Sequence, residues 1–139
     1  MKRILLLITL SFCTLLLFAC QAEEMTVLDN VSFISISDSD GYGGINEVSS
    51  KTIDSDVQIL QFESILKNAK GRKQKVGVVK EKPDYDIVVH YENDGTHLLH
   101  LVLGGIGEKS RVMYVGYEDN GFDISPEDTK VLKDILENQ

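Results

Sequence analysis

His90 and His100 are the imidazoles whose spacing could hold a metal, since both fall on one side of a predicted β-hairpin. Zinc or copper needs three or four ligands, and the nearby acids are Asp86 and Glu92. Asp38, Asp40, Gly41 and Glu47 have a calcium-like spacing. With Gly41 at the sixth position of a calcium loop, Asp38 falls third, Asp40 fifth and Glu47 twelfth. The first position is then Ile36, which cannot ligate, so the helix-flanked calcium pattern fails there and a looser loop is what survives. Gly41-Tyr42-Gly43-Gly44 and Gly104-Gly105-Ile106-Gly107 lack the strand-to-helix setting and the Lys-Ser/Thr of a phosphate loop. No serine sits in a nucleophile elbow, and nothing fixes two carboxylates across a cleft. The expectation is a protein that is not an enzyme, with no catalytic residues and no cofactor.

Lys67, Lys70, Arg72, Lys73, Lys75, Lys80 and Lys82 concentrate basic charge on an otherwise acidic chain. Such a stretch could face anionic headgroups or wall polymers, each base near an anionic surface contributing ~1 kcal/mol. The bland alternative is a solvated loop closing a helix.

At the other end, Lys2 and Arg3 precede an apolar run from Ile4 to Phe18 that is too short to span a bilayer comfortably and suits a secretory signal. The run ends in Leu17-Phe18-Ala19-Cys20, which resembles the bacterial lipobox, although Phe18 stands where a small residue is usual. That resemblance implies that Cys20 receives a diacylglycerol and that residues 1–19 are removed. Cys13 would leave with the leader, so no thiol would remain for a disulfide, a metal or a nucleophile. Two acyl chains make a stable anchor. The expected location is the outer face of a Gram-positive-type cell membrane, with the bilayer as one partner and an envelope protein or ligand as another.

The sequence has 139 residues, 22 acids and 14 bases, with a formal charge of -8. Acidity on this scale argues against nucleic acid as a partner, because phosphate binding needs bases to displace counterions. The length suits one domain. The expected organisation is a leader at 1–19, a lipidated cysteine and polar tether at 20–30, and one domain at 31–139.

The elements that position these groups follow from hydrophobic spacing. Val31 to Ser37 reads as a strand, Lys51 to Ile53 as a second, and a helix follows, capped by Asp54 or Ser55. Ile59, Phe62, Ile65, Leu66 and Ala69 form its buried stripe, and Gly71 is the expected left-handed C-cap. Arg72 to Asp84 reads as a basic loop with room for an edge strand at Val76 to Val79. Tyr85 to Tyr91 and Thr96 to Leu103 form the hairpin, Arg111 to Tyr117 a further strand, and Phe122 to Ile124 a last short one. Ser125-Pro126-Glu127-Asp128 starts a C-terminal helix whose stripe is Val131, Leu132, Ile135 and Leu136. The sum is an α+β domain: an antiparallel β-sheet of about four to six strands, with two helices packed on one face.

In the hairpin, Gly95 suits the left-handed position of a three-residue loop, Asn93 to Gly95. Glu92 then faces Thr96, His90 faces Leu98, and His100 lies diagonal to His90, within ~7–8 Å. His97 falls on the other face.

Several short motifs are similar to those of the small YhfM-like lipoproteins of Bacillus and relatives. They are Gly41-Tyr42-Gly43-Gly44-Ile45-Asn46, Thr52-Ile53-Asp54, Phe62 to Lys70, Pro83-Asp84-Tyr85-Asp86 and Ile124-Ser125, within residues 31–137. The resemblance implies an anchored extracytoplasmic domain of uncharacterised function. It hands over no catalytic residues, and it favours a structural role for Asp38 to Asn46.

Overall fold

The computed structural model describes residues 23–26, 29–73 and 82–137. The leader, Cys20, Lys75, Lys80, the side chain of Lys73 and the strand expected at 76–79 lie outside the described residues. Among the described residues, seven strands run in the order β2-β1-β4-β5-β6-β7-β3. They are β1 (Val31–Asp38), β2 (Lys51–Ile53), β3 (Lys70–Lys73), β4 (Tyr85–Tyr91), β5 (Thr96–Val102), β6 (Ser110–Tyr114) and β7 (Asn120–Ile124). Every pairing is antiparallel. Helices α1 (Asp56–Asn68) and α2 (Pro126–Glu137) complete the α+β fold.

Period-two alternation sorts the sheet into two unlike faces. Ile34, Ile36, Ile87, Val89, Leu99, Leu101, Val112, Phe122 and Ile124 join Phe62 and Leu66 of α1 and Leu132 and Ile135 of α2 in one core. The opposite, helix-free face carries Phe33, Ser35, Asp86, Val88, His90, Leu98, His100, Arg111, Met113 and Asp123, as the cross-strand partners require.

Both helices begin as expected. Ser55 occupies the N-cap of α1, without a side-chain cap bond. Ser125 caps α2, its Oγ accepting from the Asp128 amide at 3.1 Å.

The strand count exceeds the expected four to six because Lys70–Lys73, a segment with no β-forming side chains, is recruited as an edge by β7. Helix α1 accordingly ends on an extended Ala69, and Gly71 lies in β3 rather than at a left-handed cap. What Gly71 permits is close approach. Its amide donates to the Glu23 carbonyl at 2.6 Å, and a Cβ there would stand 2.7 Å from that oxygen.

The expected polar tether is partly integrated into the domain. Glu24 bridges to Lys70, Met25 is buried in the core, and the Thr26 carbonyl accepts from the Tyr114 hydroxyl at 2.9 Å. Asp29 then pairs with Lys67 at 2.8 Å before β1 begins on the other side of the sheet. This N-terminal strap fills part of the core that the two helices leave open.

Candidate functional site

The hairpin register places the site. Ile87 faces Leu99, and His90 faces Thr96 rather than Leu98. The loop starts one residue early, at Glu92, because Asp94 takes the left-handed position (φ 63°) expected of Gly95. The resulting shift of two preserves both faces but changes every partner. His100 now faces Asp86, and His90 lies four residues further along the strand, roughly 13 Å away. The diagonal His90–His100 pair is therefore not formed. His90 instead stacks on Phe33 with ring centroids 4.0 Å apart, its Nε2 lying 3.3 Å from the Ser35 hydroxyl. His97 joins the core face, its Nδ1 2.8 Å from the Tyr91 hydroxyl.

What forms is a buried acid–base couple. Asp86 and His100 have side chains only 1% and 0% exposed. Asp86 Oδ1 lies 2.8 Å from His100 Nδ1, and Oδ2 accepts the Asn46 amide at 2.7 Å. An imidazole held this way has its Nδ1 proton and its ring orientation set by the carboxylate. Among the described residues, His100 Nε2 has no hydrogen-bond partner, and Oε1 of Glu118 stands 3.6 Å away. Glu118 Oε1 itself accepts from the Gly116 amide at 2.8 Å.

The glycine-rich loop closes over this couple. Gly41 and Gly43 adopt φ of 127° and 104°, a region side chains disfavour, and so turn the chain back across the sheet. Tyr42 meets the His100 ring edge-on, centroids 5.4 Å apart. Asn46 is the clasp: besides the backbone N–H bond to Asp86, its backbone carbonyl accepts from the Ser37 hydroxyl at 2.6 Å and its side-chain Nδ2 donates to the Asp38 carbonyl at 3.0 Å. Asp38, Asp40 and Glu47 have exposed side chains along this loop. Among the described residues, no three His, Cys, Asp or Glu side chains converge as a metal site.

The basic residues divide. Lys67 and Lys70 are engaged with Asp29 and Glu24, both at 2.8 Å. Hydrogen bonds from those lysines hold both carboxyls below their ordinary values. Arg72 instead joins a second cluster around Asp123 with Lys109 and Arg111, which carry no role in the sequence reading. Lys82 is exposed.

Asn46, Tyr42 and Glu118 also escaped the sequence reading as site residues. The signal that could have found the couple was an acid and a histidine on like-facing positions of paired strands, which only the true register joins. Among the described residues, no helix is long and apolar enough to cross a membrane.

A family model described as YhfM protein matches residues 30–139. A comparison with curated proteins finds no match. Among solved structures, a thioesterase-like protein from Clostridium sporogenes superposes with a TM-score of 0.65 at 18% identity, over 82% of this chain and 100% of that one. At that identity the likeness speaks for the fold alone.

Proposed function

The chain belongs to the YhfM family over residues 30–139, and from that premise we propose that it is a membrane-anchored, non-enzymatic interaction domain on the outer face of the cell membrane, held there by acylated Cys20. One observation carries the reading. The Asp86–His100 couple is sealed from solvent, and both oxygens of Asp86 are committed, one to the imidazole and one to the glycine-rich loop. The couple acts as an internal fastening. What it presents outward is Tyr42 on the loop and Leu98 on the adjoining sheet face, each 38% exposed, with Tyr117 projecting nearby in sequence from Glu118. Aromatic and aliphatic side chains on a rigid platform are what protein partners bury.

The test is in-cell photo-crosslinking of the full-length lipidated protein, with the reactive group at position 98. A discrete envelope protein captured there, and lost with Tyr42→Ser, is the expected result. Crosslinks to no envelope component in intact cells would count against the proposal, and substrate turnover lost in Asp86→Asn would replace it with an enzyme.

A second reading, a metal- or small-ligand-binding module, draws on His100 Nε2. His100 Nε2 and Glu118 Oε1, 3.6 Å apart, are a nitrogen and an oxygen donor that one cation can share. An imidazole whose other ring nitrogen is held by a carboxylate is also a common arrangement at metals. Zinc or copper suits a nitrogen donor better than calcium does. A melting temperature unmoved by millimolar zinc, copper or calcium would sink this reading.

A further inference from the structure

The strap and the edge strand β3 together fix which part of the domain meets the bilayer. Glu23 is pinned to Gly71 of β3 by a 2.6 Å backbone hydrogen bond, and Glu24 to Lys70 by a 2.8 Å ion pair. Cys20 precedes Glu23 by three positions. Three residues reach at most about 11 Å when fully extended. An acyl chain on Cys20 therefore brings β3, rather than any other edge of the sheet, to the headgroup layer.

The side chains at that edge suit the place. A concavity of ≈ 430 Å³ there is lined by Lys70, Arg72, Lys109, Asp123 and Ser125, among others. Asp123 is the acid in its floor. Arg111 satisfies one oxygen of Asp123 with two hydrogen bonds of 3.2 Å, from Nε and Nη2. Arg72 and Lys109 stand 3.8 and 3.9 Å from the other oxygen, beyond hydrogen-bonding range, and both are 63% exposed. A chain of net charge -8 thus gathers a basic concavity beside the point where its anchor leaves.

We infer that the β3 edge, through Arg72 and Lys109, is a docking surface for anionic phospholipid headgroups that holds the anchored domain in one orientation. The inference rests on the anchored reading given above. Each base at an anionic surface contributes about 1 kcal/mol, or about fivefold, so the pair shifts the docked-to-undocked ratio about 25-fold. A single acyl-cysteine tether would otherwise leave the domain free to swivel.

The experiment uses the full-length lipidated protein reconstituted in vesicles of phosphatidylglycerol and phosphatidylcholine. Fluorophores are placed on single introduced cysteines, Asn120→Cys at the β3–β7 edge or Val48→Cys beside β2 at the opposite edge, and read with headgroup-level quencher lipids. Quenching at 120 and little at 48 is expected. It should be lost in Arg72→Gln/Lys109→Gln and in pure phosphatidylcholine, while the protein stays on the vesicles. Equal quenching at both positions, or quenching indifferent to the double variant or to lipid charge, overturns the docking surface and leaves the anchor intact. Protein that carries no acyl group at Cys20 and washes off the membrane overturns the anchored reading, and the docking with it.

Discussion

Lys51 of β2 donates from Nζ to the carbonyl oxygen of Ile135 at 2.6 Å, and to that of Leu136 at 2.7 Å, so a strand lysine caps the C-terminus of α2. The last turn of α2 contains no basic residue of its own. A cation there answers both the unsatisfied carbonyls and the negative end of the helix dipole. Lys51→Met is expected to destabilise the domain by about 1–2 kcal/mol. Urea unfolding would measure it, with an unchanged midpoint refuting the cap.

Asp86→Ala should cost more. It removes the acceptor of both the buried His100 ring and the partly buried Asn46 backbone amide. The expected loss is about 3 kcal/mol. Hydrogen exchange at the Asn46 amide should accelerate further than exchange at core amides such as Leu99. Uniform acceleration would mean that the loop is fastened by something other than Asp86.

Acid should weaken the fold in two stages. Burial lowers the pKa of both His90 and His97 below the ordinary imidazole value of 6.5. The unfolded chain then binds protons at a higher pH than the folded chain. Stability is complete above about pH 6.5 and declines as pH falls from there through the lower folded values. Glu24 and Asp29 act in the same direction but only below their ordinary values of 4.5 and 3.8, since hydrogen bonds from Lys70 and Lys67 lower them. Melting temperatures across the range between about pH 7.5 and pH 5 should fall, less steeply in His97→Gln. A flat or rising profile would contradict burial of these rings as neutral imidazoles.

Gly71→Ala should release the strap while leaving the sheet in place. The added methyl would press on the Glu23 carbonyl, and Met25 would lose its place in the core. A buried Met contributes roughly 1.5–3 kcal/mol. The sensitive readout is limited proteolysis near Glu23 and Glu24, which should become fast in the variant and stay slow in the parent.

The parts of this fold that were legible beforehand are those whose side chains alternate or recur strongly. Tyr85 to Tyr91, Phe62 with Leu66, and Ser125-Pro126 before α2 each announce their element locally. Lys70–Lys73 does not, because its strand character comes from pairing with Asn120 to Asp123 rather than from its own residues. Met25 reads as part of a tether in the sequence, since one apolar residue among acids has no period. The Asp86–His100 couple was hidden by a single local choice, the use of Asp94 instead of Gly95 for the left-handed turn position. Propensity favours the glycine there, and tertiary pairing overrode it.

The place of β3 at the end of the sheet has a consequence for how the molecule is made. Lys70 to Lys73 leave the ribosome well before Asn120 to Asp123, yet β7 is the strand against which they must lie. Hairpins β4–β5 and β6–β7 can close at once, whereas this last seam waits for nearly the whole chain. Topologies closed by distant partners fold slowly. Until it closes, the outer side of β7 is an unpaired ribbon open to a neighbouring chain. The moment of greatest vulnerability therefore comes late, after most of the domain has formed and before the β3 edge has found its place.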